Sequence, residues 1–447
     1  MALPDGPISR QTVSVIIPVY NSADTLKLCL ERLKLSTTAP MECIVVDDGS
    51  TDDSVKVARE SGVTVIPTGG RLGPGGARNL GAAQARGEIL FFLDADVCAS
   101  SDAIARVESA FREDSTLDAL IGSYDDSPSS KDFLSQYKNL MHSFVHQTGR
   151  REASTFWGGC GAIRRTVFME HSGFDESYGR PAIEDIELGY RLSRAGRKIA
   201  LDPELQVTHL KRWTFIGLVK TDVLDRGIPW TELILRDQNM PNDLNLQLSQ
   251  RVSVALVYVL LGFATACAIQ WRGYFLTPIF AALFLLLGRY WVDGARKRSW
   301  SVSLCMTLGA ASVVGLAYRQ HMMGLIPAVV LGYVLLLVRH RYAQPIETGG
   351  RWTRYMLGTT IALCLLFILS YLPGQPLMLG FYSVFALIMI FNNQFYIFLA
   401  AKRGKLFAVA AVPFHLLYHL YNGISFTVGL CRHTFRTLAS RARRWGL

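Results

Sequence analysis

The chain has 447 residues, half of them hydrophobic, and 46 Lys and Arg stand against 36 Asp and Glu for a formal net charge of +10. Much of the basic excess falls in short loops between apolar runs and at the C-terminus, which points to anionic lipid headgroups as partner and away from nucleic acid. The eight Cys are scattered with no CxxC pair, so their pattern supports neither a zinc site nor a disulfide framework.

Before about residue 250 the chain reads as an α/β protein; from 251 onward it becomes long apolar runs broken by basic loops. Residues 1–11 are polar and contain proline, without the apolar stretch of a signal peptide, so the N-terminal half is expected to begin in the cytosol. Residues 13–20 read as a buried strand closed by Pro18, and Asn21 or Ser22 can cap a helix carrying Leu26, Leu30 and Leu33 at helical spacing. A second strand is expected over 41–46, running into Asp47-Asp48-Gly49-Ser50, then a helix over 54–60 and a short strand over 63–67. This alternation predicts a parallel sheet covered on both faces. Such sheets bind ligands outside the carboxyl ends of their strands.

The stretch Gly69-Gly70-Arg71-Leu72-Gly73-Pro74-Gly75-Gly76-Ala77-Arg78-Asn79 opens into a helix expected over 80–85. Glycines allow close backbone approach, and amides at a helix start favour anions. Arg71 and Arg78 supply countercharge, so the stretch is expected to bind phosphate, although it is neither a GxGxxG fingerprint nor a Walker A loop. The apolar run 88–93 then predicts a strand ending in Asp94-Ala95-Asp96. On an extended segment the two carboxylates would point the same way and suit Mg²⁺ or Mn²⁺ held with a phosphate. The alternative is that an Asp caps the helix suggested by Ser100-Ser101-Asp102.

Four motifs in this order, Val-Ile-Ile-Pro-Val-Tyr-Asn, Val-Val-Asp-Asp-Gly-Ser-Thr-Asp, Gly-Gly-Ala-Arg-Asn and Phe-Leu-Asp-Ala-Asp, resemble the family 2 glycosyltransferases of the GT-A fold, over residue 13 to about 213. The resemblance implies an α/β GT-A domain with a Rossmann-like, mostly parallel sheet. It further implies an inverting transferase that uses a UDP- or GDP-sugar with Mg²⁺ or Mn²⁺. Matched position by position, Pro18 and Tyr20 border the nucleoside, Asp48 contacts the base, and Arg78 supports the nucleotide or diphosphate, with Arg71 joining the donor-binding set as a countercharge. Asp94 touches ribose or sugar, and Asp96 is the metal ligand.

Three later stretches extend the resemblance. Residues 156–165, with Trp157, Gly158 and Gly159, form either a tight turn or, as in the family, part of the acceptor and sugar pocket. Residues 184–192 read as a helix with an apolar side, leaving Glu184 and Asp185 at its start. Acidic residues there complement the helix dipole, but the family match makes Asp185, beside Glu184, the catalytic base. Finally, His209-Leu210-Lys211-Arg212-Trp213 is similar to the Gln-x-x-Arg-Trp motif of processive synthases, with His in the Gln place. His209 is either a further metal ligand or an ordinary strand-end histidine, while Arg212 and Trp213 belong to the acceptor side.

Residues 215–235 suit an amphipathic helix at headgroup level, anchored by Trp213 and Trp230, or a plain linker. Six spans are expected, over 252–271, 274–293, 301–318, 322–338, 355–372 and 377–400. Basic residues follow the second, fourth and sixth spans, which keeps the N-terminal domain cytosolic. Segment 406–430 is read as re-entrant or interfacial, with a basic cytosolic tail behind it. The expected organisation is thus a cytosolic transferase domain over 1–213, an interfacial segment over 214–250 and an all-α transmembrane domain over 251–447. The reading this favours is transfer of one sugar to a lipid-linked or membrane glycan acceptor at the cytoplasmic face of the cytoplasmic membrane. The competing readings are a processive polysaccharide synthase, a polyprenyl-phosphate sugar synthase, and a nucleotide-sensing scaffold or transporter.

Overall fold

The computed structural model describes residues 12–271, 300–319 and 376–444, together with 281, 284, 326, 329, 330 and 332–334. It divides into two units, one of Met1–Val252 with Ala411–Leu447 and the other Ser253–Ala410.

The first unit is built on an eight-stranded sheet. Strands β1 (Val13–Val19), β2 (Glu42–Asp47), β3 (Thr64–Pro67), β4 (Ile89–Leu93), β5 (Val97–Ala99), β6 (Ala119–Tyr124), β7 (Cys160–Arg164) and β8 (Ile199–His209) run in the order β3-β2-β1-β4-β7-β6-β8-β5. Valine and isoleucine alternate between the two faces, as strand geometry requires. Val13, Val15 and Ile17 pack with Leu26 and Leu30 of α1 (Ala23–Lys34) and with Val107 and Phe111 of α4 (Ala103–Glu113). Ile16, Ile44 and Phe92 face the other way, against Ala77 and Ala82 of α3 (Gly73–Gln84) and Leu188 and Leu192 of α7 (Glu184–Arg194). Helices therefore cover both faces, as expected.

The sheet is mixed. β1 to β4 pair in parallel, but β7 runs antiparallel to both β4 and β6, and β5 antiparallel to β8. This reversal has a positional consequence: the start of β7 lies beside the end of β4, with Cys160 opposite Leu93. The ends of β1, β2, β4, β6 and β8 and the start of β7 thus share one edge.

Two local expectations need correction. The glycine-rich stretch is largely helical, because α3 begins at Gly73 with Pro74 in its first turn, where a missing N–H costs nothing. The strand of residues 88–93 stops at Leu93, and Asp94-Ala95-Asp96 forms the turn into β5.

Residues 215–237 are helical throughout, as α8 (Phe215–Lys220), a π-helical stretch Thr221–Gly227 and α9 (Ile228–Asp237). The expected anchors are otherwise engaged: Trp213 is buried with Leu218 and Tyr421, and the Trp230 indole N–H donates to Tyr190 Oη at 3.0 Å. The helix Lys405–Arg444 packs on this segment from residue 411 onward, with Arg432 and Arg436 pairing with Glu232 at 2.9 and 2.7 Å. At the crossing, a Cβ on Gly227 would stand 2.6 Å from Ser425 Cβ. Gly227→Leu is expected to force the helices apart at a cost of about 1–3 kcal/mol, read as a lower melting temperature of the full chain by intrinsic tryptophan fluorescence.

Among the described residues one helix, Leu248–Gln270, is long and apolar enough to cross a membrane. Residues 301–318 lie in the helix Trp300–Arg319, and 377–400 in two helices, Pro376–Phe391 and Asn393–Arg403, bent by 64°. That bent pair passes the same length and composition test only if counted as one span. The spans expected over 274–293, 322–338 and 355–372 lie wholly or mostly outside the described residues.

Candidate active site

A cavity of about 590 Å³ opens on the shared strand edge, within the usual range for a ligand site. Its walls carry Pro18, Tyr20, Asp48, Arg71, Arg78, Asp94, Asp96, Trp157, Glu184, Asp185, His209 and Trp213. Three remaining candidates sit elsewhere. Gly158 and Gly159 back the site, since a Cβ on Gly158 would come within 3.0 Å of Arg78 Cζ, and one on Gly159 within 2.9 Å of Asp94 Oδ2. Only glycine lets this turn press so closely on the charged groups. Arg212 is outside the cavity, 80% exposed, and faces Asp132 at 3.6 Å.

Asp48 does not project freely. Its carboxylate accepts the N–H groups of Leu72 and Gly73 at 2.7 and 3.0 Å and so fastens the start of α3. Arg71 lies over the Tyr20 ring at 3.5 Å, a cation–π stack at the cavity wall. Arg78 is buried and bridges two carboxylates, with Nη2 to Asp94 Oδ1 at 2.6 Å and Nη1 to Glu184 Oε1 at 3.0 Å. Glu184 also accepts the Ala182 N–H at 3.0 Å.

The acidic groups are pushed in different directions. Burial raises Asp185, and the neighbouring Glu184 charge adds to it, bringing it up to about 6 against the opposing Gly158 N–H and Arg78. That N–H donates to Asp185 Oδ2 at 3.0 Å. Burial also raises Asp94, with Arg78 opposing. Burial pushes Asp96 up as well, but the facing His209 and the Lys211 cation outweigh it and hold Asp96 below the usual carboxylate range.

Asp96 Oδ2 and His209 Nε2 face each other at 3.7 Å, and His209 is stacked on Tyr124 at 4.6 Å. Among the described residues no third His, Cys, Asp or Glu completes a metal-binding group. An oxygen and an imidazole nitrogen nevertheless fit a divalent ion whose other ligands are phosphate oxygens and water, the usual way Mg²⁺ is held.

Residues 14–172 match the family model described as Glycosyl transferase family 2. This stretch is similar to the family 2 glycosyl transferases. An N-acetylglucosaminyl-diphospho-decaprenol L-rhamnosyltransferase of Mycobacterium tuberculosis is 29% identical over 233 residues, covering 44% of this chain and 75% of the relative. An O-antigen chain rhamnosyltransferase of Salmonella typhimurium is 28% identical over 236 residues, covering 49% and 74%. A mannosyltransferase of Pyrobaculum calidifontis, solved with GDP-Man and Mn²⁺, aligns over 84% of this chain and 87% of its own at 16% identity, with a TM-score of 0.38.

The motifs of the matched stretch leave one wall of the cavity unaccounted for. It comes from α5 (Phe133–Thr148) and the helical segment 215–237, and includes Lys138, His142, His146, Lys220, Asp225, Arg226 and Trp230. Lys138 Nζ is buried against both oxygens of Asp222 at 2.7 Å, and the Tyr421 hydroxyl donates to the same carboxylate. Burial lowers His142 well below its usual value and His146 to about 4, so both rings are neutral at neutral pH. One sign of this wall was readable in advance: charges recurring inside an otherwise apolar helical pattern at Asp222, Asp225 and Arg226.

Proposed function

We propose that the protein moves one sugar, with inversion, from a UDP- or GDP-sugar to a hydroxyl of a lipid-linked acceptor at the cytoplasmic face of the cytoplasmic membrane. The observation that carries this reading is that one cavity brings together Asp185, bound by the Gly158 N–H at 3.0 Å, and Asp96, facing His209 at 3.7 Å, in surroundings that push Asp185 up and Asp96 down. Environments that drive titratable groups apart separate a base from a permanently charged ligand.

In this reading Asp185 takes the proton of the attacking hydroxyl, and Asp96 with His209 would hold a divalent ion, which would supply positive charge for a departing diphosphate. Pro18 and Tyr20 border the nucleoside, and Arg71 lies within reach of the phosphates. Asp48 acts through the backbone of 72–73 and Arg78 through Asp94 and Glu184, so both position the donor site. Trp157 and Trp213 shape the sugar and acceptor space. The acceptor class is supported by the apolar helix Leu248–Gln270 and by the diphospho-lipid acceptor named for the Mycobacterium tuberculosis relative. Segments 214–250 and 251–447 would then hold the catalytic domain at the membrane, in a pathway building a cell-envelope glycan. A base beside the sugar site favours a hydroxyl acceptor over a polyprenyl phosphate, which is already ionised.

The test is donor screening of full-length protein in lipid nanodiscs against lipid-linked glycans, with mass spectrometry of the product. Failure to glycosylate any lipid-linked acceptor would sink the acceptor assignment. Excess chelator is expected to abolish transfer, Mg²⁺ or Mn²⁺ to restore it, and Asp96→Asn to be inactive but folded. Full activity in chelator would remove Asp96 and His209 from metal binding.

A further inference from the structure

The π-helical stretch Thr221–Gly227 carries a cavity-lining cation, Arg226, that forms no ion pair among the described residues. Arg226 lines the cavity, and its one hydrogen-bonding contact among the described residues is with His142 Nε2 at 3.4 Å. A guanidinium only donates, so Nε2 accepts and His142 is neutral, in keeping with the downward push of burial, Lys138 and Arg226 on that ring. Of the acids near it, Asp185 forms no ion pair with it among the described residues and accepts the Gly158 N–H, and the other two are engaged elsewhere. Asp222 is held by Lys138 and Tyr421, and Asp225 faces Arg180 at 3.5 Å. The contrast with Arg78 is plain, since that cation meets two carboxylates.

A half-buried charge without a counterion is costly, and an anion supplied by a ligand relieves that cost. The guanidinium fork matches phosphate oxygens in pairs, and Lys220 lines the same wall. Arg226 is also close enough to Asp185 to lower its proton affinity. We infer that Arg226 forms an acceptor-phosphate subsite, distinct from the donor diphosphate site, which holds the phosphate of a phosphorylated lipid with its sugar hydroxyl near Asp185. The inference rests on the glycosyltransferase reading above and names its acceptor as a lipid that carries phosphate. π-helical turns recur at functional sites, and here one carries both the buried Asp222 and the cavity-facing Arg226.

Binding of farnesyl phosphate, farnesol and inorganic phosphate to the full-length protein in detergent, by calorimetry, tests this without any transfer reaction. Farnesyl phosphate is expected to bind at least tenfold more tightly than farnesol, and Arg226→Gln to weaken it about 10–100-fold, to the level of farnesol. UDP or GDP binding with Mg²⁺ is expected to be unchanged in Arg226→Gln, which also shows that the variant is folded. Arg226→Lys is expected to recover part of the loss. Equal binding of farnesyl phosphate and farnesol, or a full phosphate preference in Arg226→Gln, overturns the subsite. A parallel loss of nucleotide binding assigns Arg226 to the donor and overturns it as well. Inorganic phosphate binding as tightly as farnesyl phosphate overturns the lipid assignment. A protein that binds farnesyl phosphate as expected yet transfers no sugar defeats the glycosyltransferase reading alone.

Discussion

Asp185→Asn is expected to slow sugar transfer by about 10²–10⁴, the usual contribution of a positioned general base, while nucleoside-diphosphate affinity stays nearly unchanged. The substitution keeps the shape of the side chain and removes its ability to take a proton. The Gly158 N–H that now reaches Asp185 Oδ2 at 3.0 Å retains an acceptor if the amide oxygen turns toward it. The pH dependence follows from the same carboxyl. Asp185 must be ionised to act, and burial with the adjacent Glu184 holds its proton to about pH 6. Wild-type kcat/KM is therefore expected to fall as pH drops through about 6, two units above the range of an ordinary aspartate. In Asp185→Asn the residual rate should lose that limb. Single-turnover kinetics over pH 4.5–8, beside calorimetric titration with nucleotide and metal, measures both. Transfer at the wild-type rate in Asp185→Asn would place the base elsewhere.

Much of the cavity's strand-edge wall was legible because its signals are local. A β-branched run broken by Pro18, and carboxylates after apolar runs at Asp48 and Asp94, mark strand ends whatever else surrounds them. What those side chains do once folded was less legible. Arg78 reads as a free countercharge, yet it is spent on Asp94 and Glu184, the latter 106 positions away. Asp48 reads as a ligand contact, yet two backbone N–H groups occupy it. Such pairings depend on which strand ends the topology gathers, and the reversal of β7 that brings Gly158 onto Arg78 has no local cue. Strand β8 did have one. Ile199, Leu201, Leu205 and Val207 alternate inward, but Asp202, Pro203 and Glu204 interrupt the pattern and disguise it as a turn. The wall made by α5 and 215–237 was hidden for a different reason. Its buried Lys138–Asp222 pair joins residues 84 apart, and each residue alone looks like a solvated charge.

Arg78→Leu is expected to be the most damaging single substitution in the first unit for stability. Arg78 is 4% exposed and bonded to Asp94 at 2.6 Å and Glu184 at 3.0 Å. Taking away one partner of a buried ionic group costs about 3–5 kcal/mol, because the charges left behind have lost their water as well as their counterion. For a unit of this size that lowers the melting temperature by roughly 6–20 °C. Burial and the neighbouring carboxylates already raise Asp94 above its unfolded value, and without Arg78 nothing opposes them. Groups shifted that way favour the folded state at low pH and lose that contribution as pH rises through the folded-state value. The gap between variant and wild type should therefore be widest near pH 7.5 and narrow toward pH 4.5. A hydrophobic side chain of similar volume also fills the space, which separates loss of charge from loss of packing. Arg78→Leu combined with Glu184→Gln and Asp94→Asn should recover much of the stability while remaining inactive, since an apolar replacement of a whole ionic cluster is often neutral. Tryptophan fluorescence melting of the three proteins across pH reads the result. A deficit in Arg78→Leu that is constant from pH 4.5 to 7.5 would mean that Arg78 contributes through packing and not through its two carboxylates.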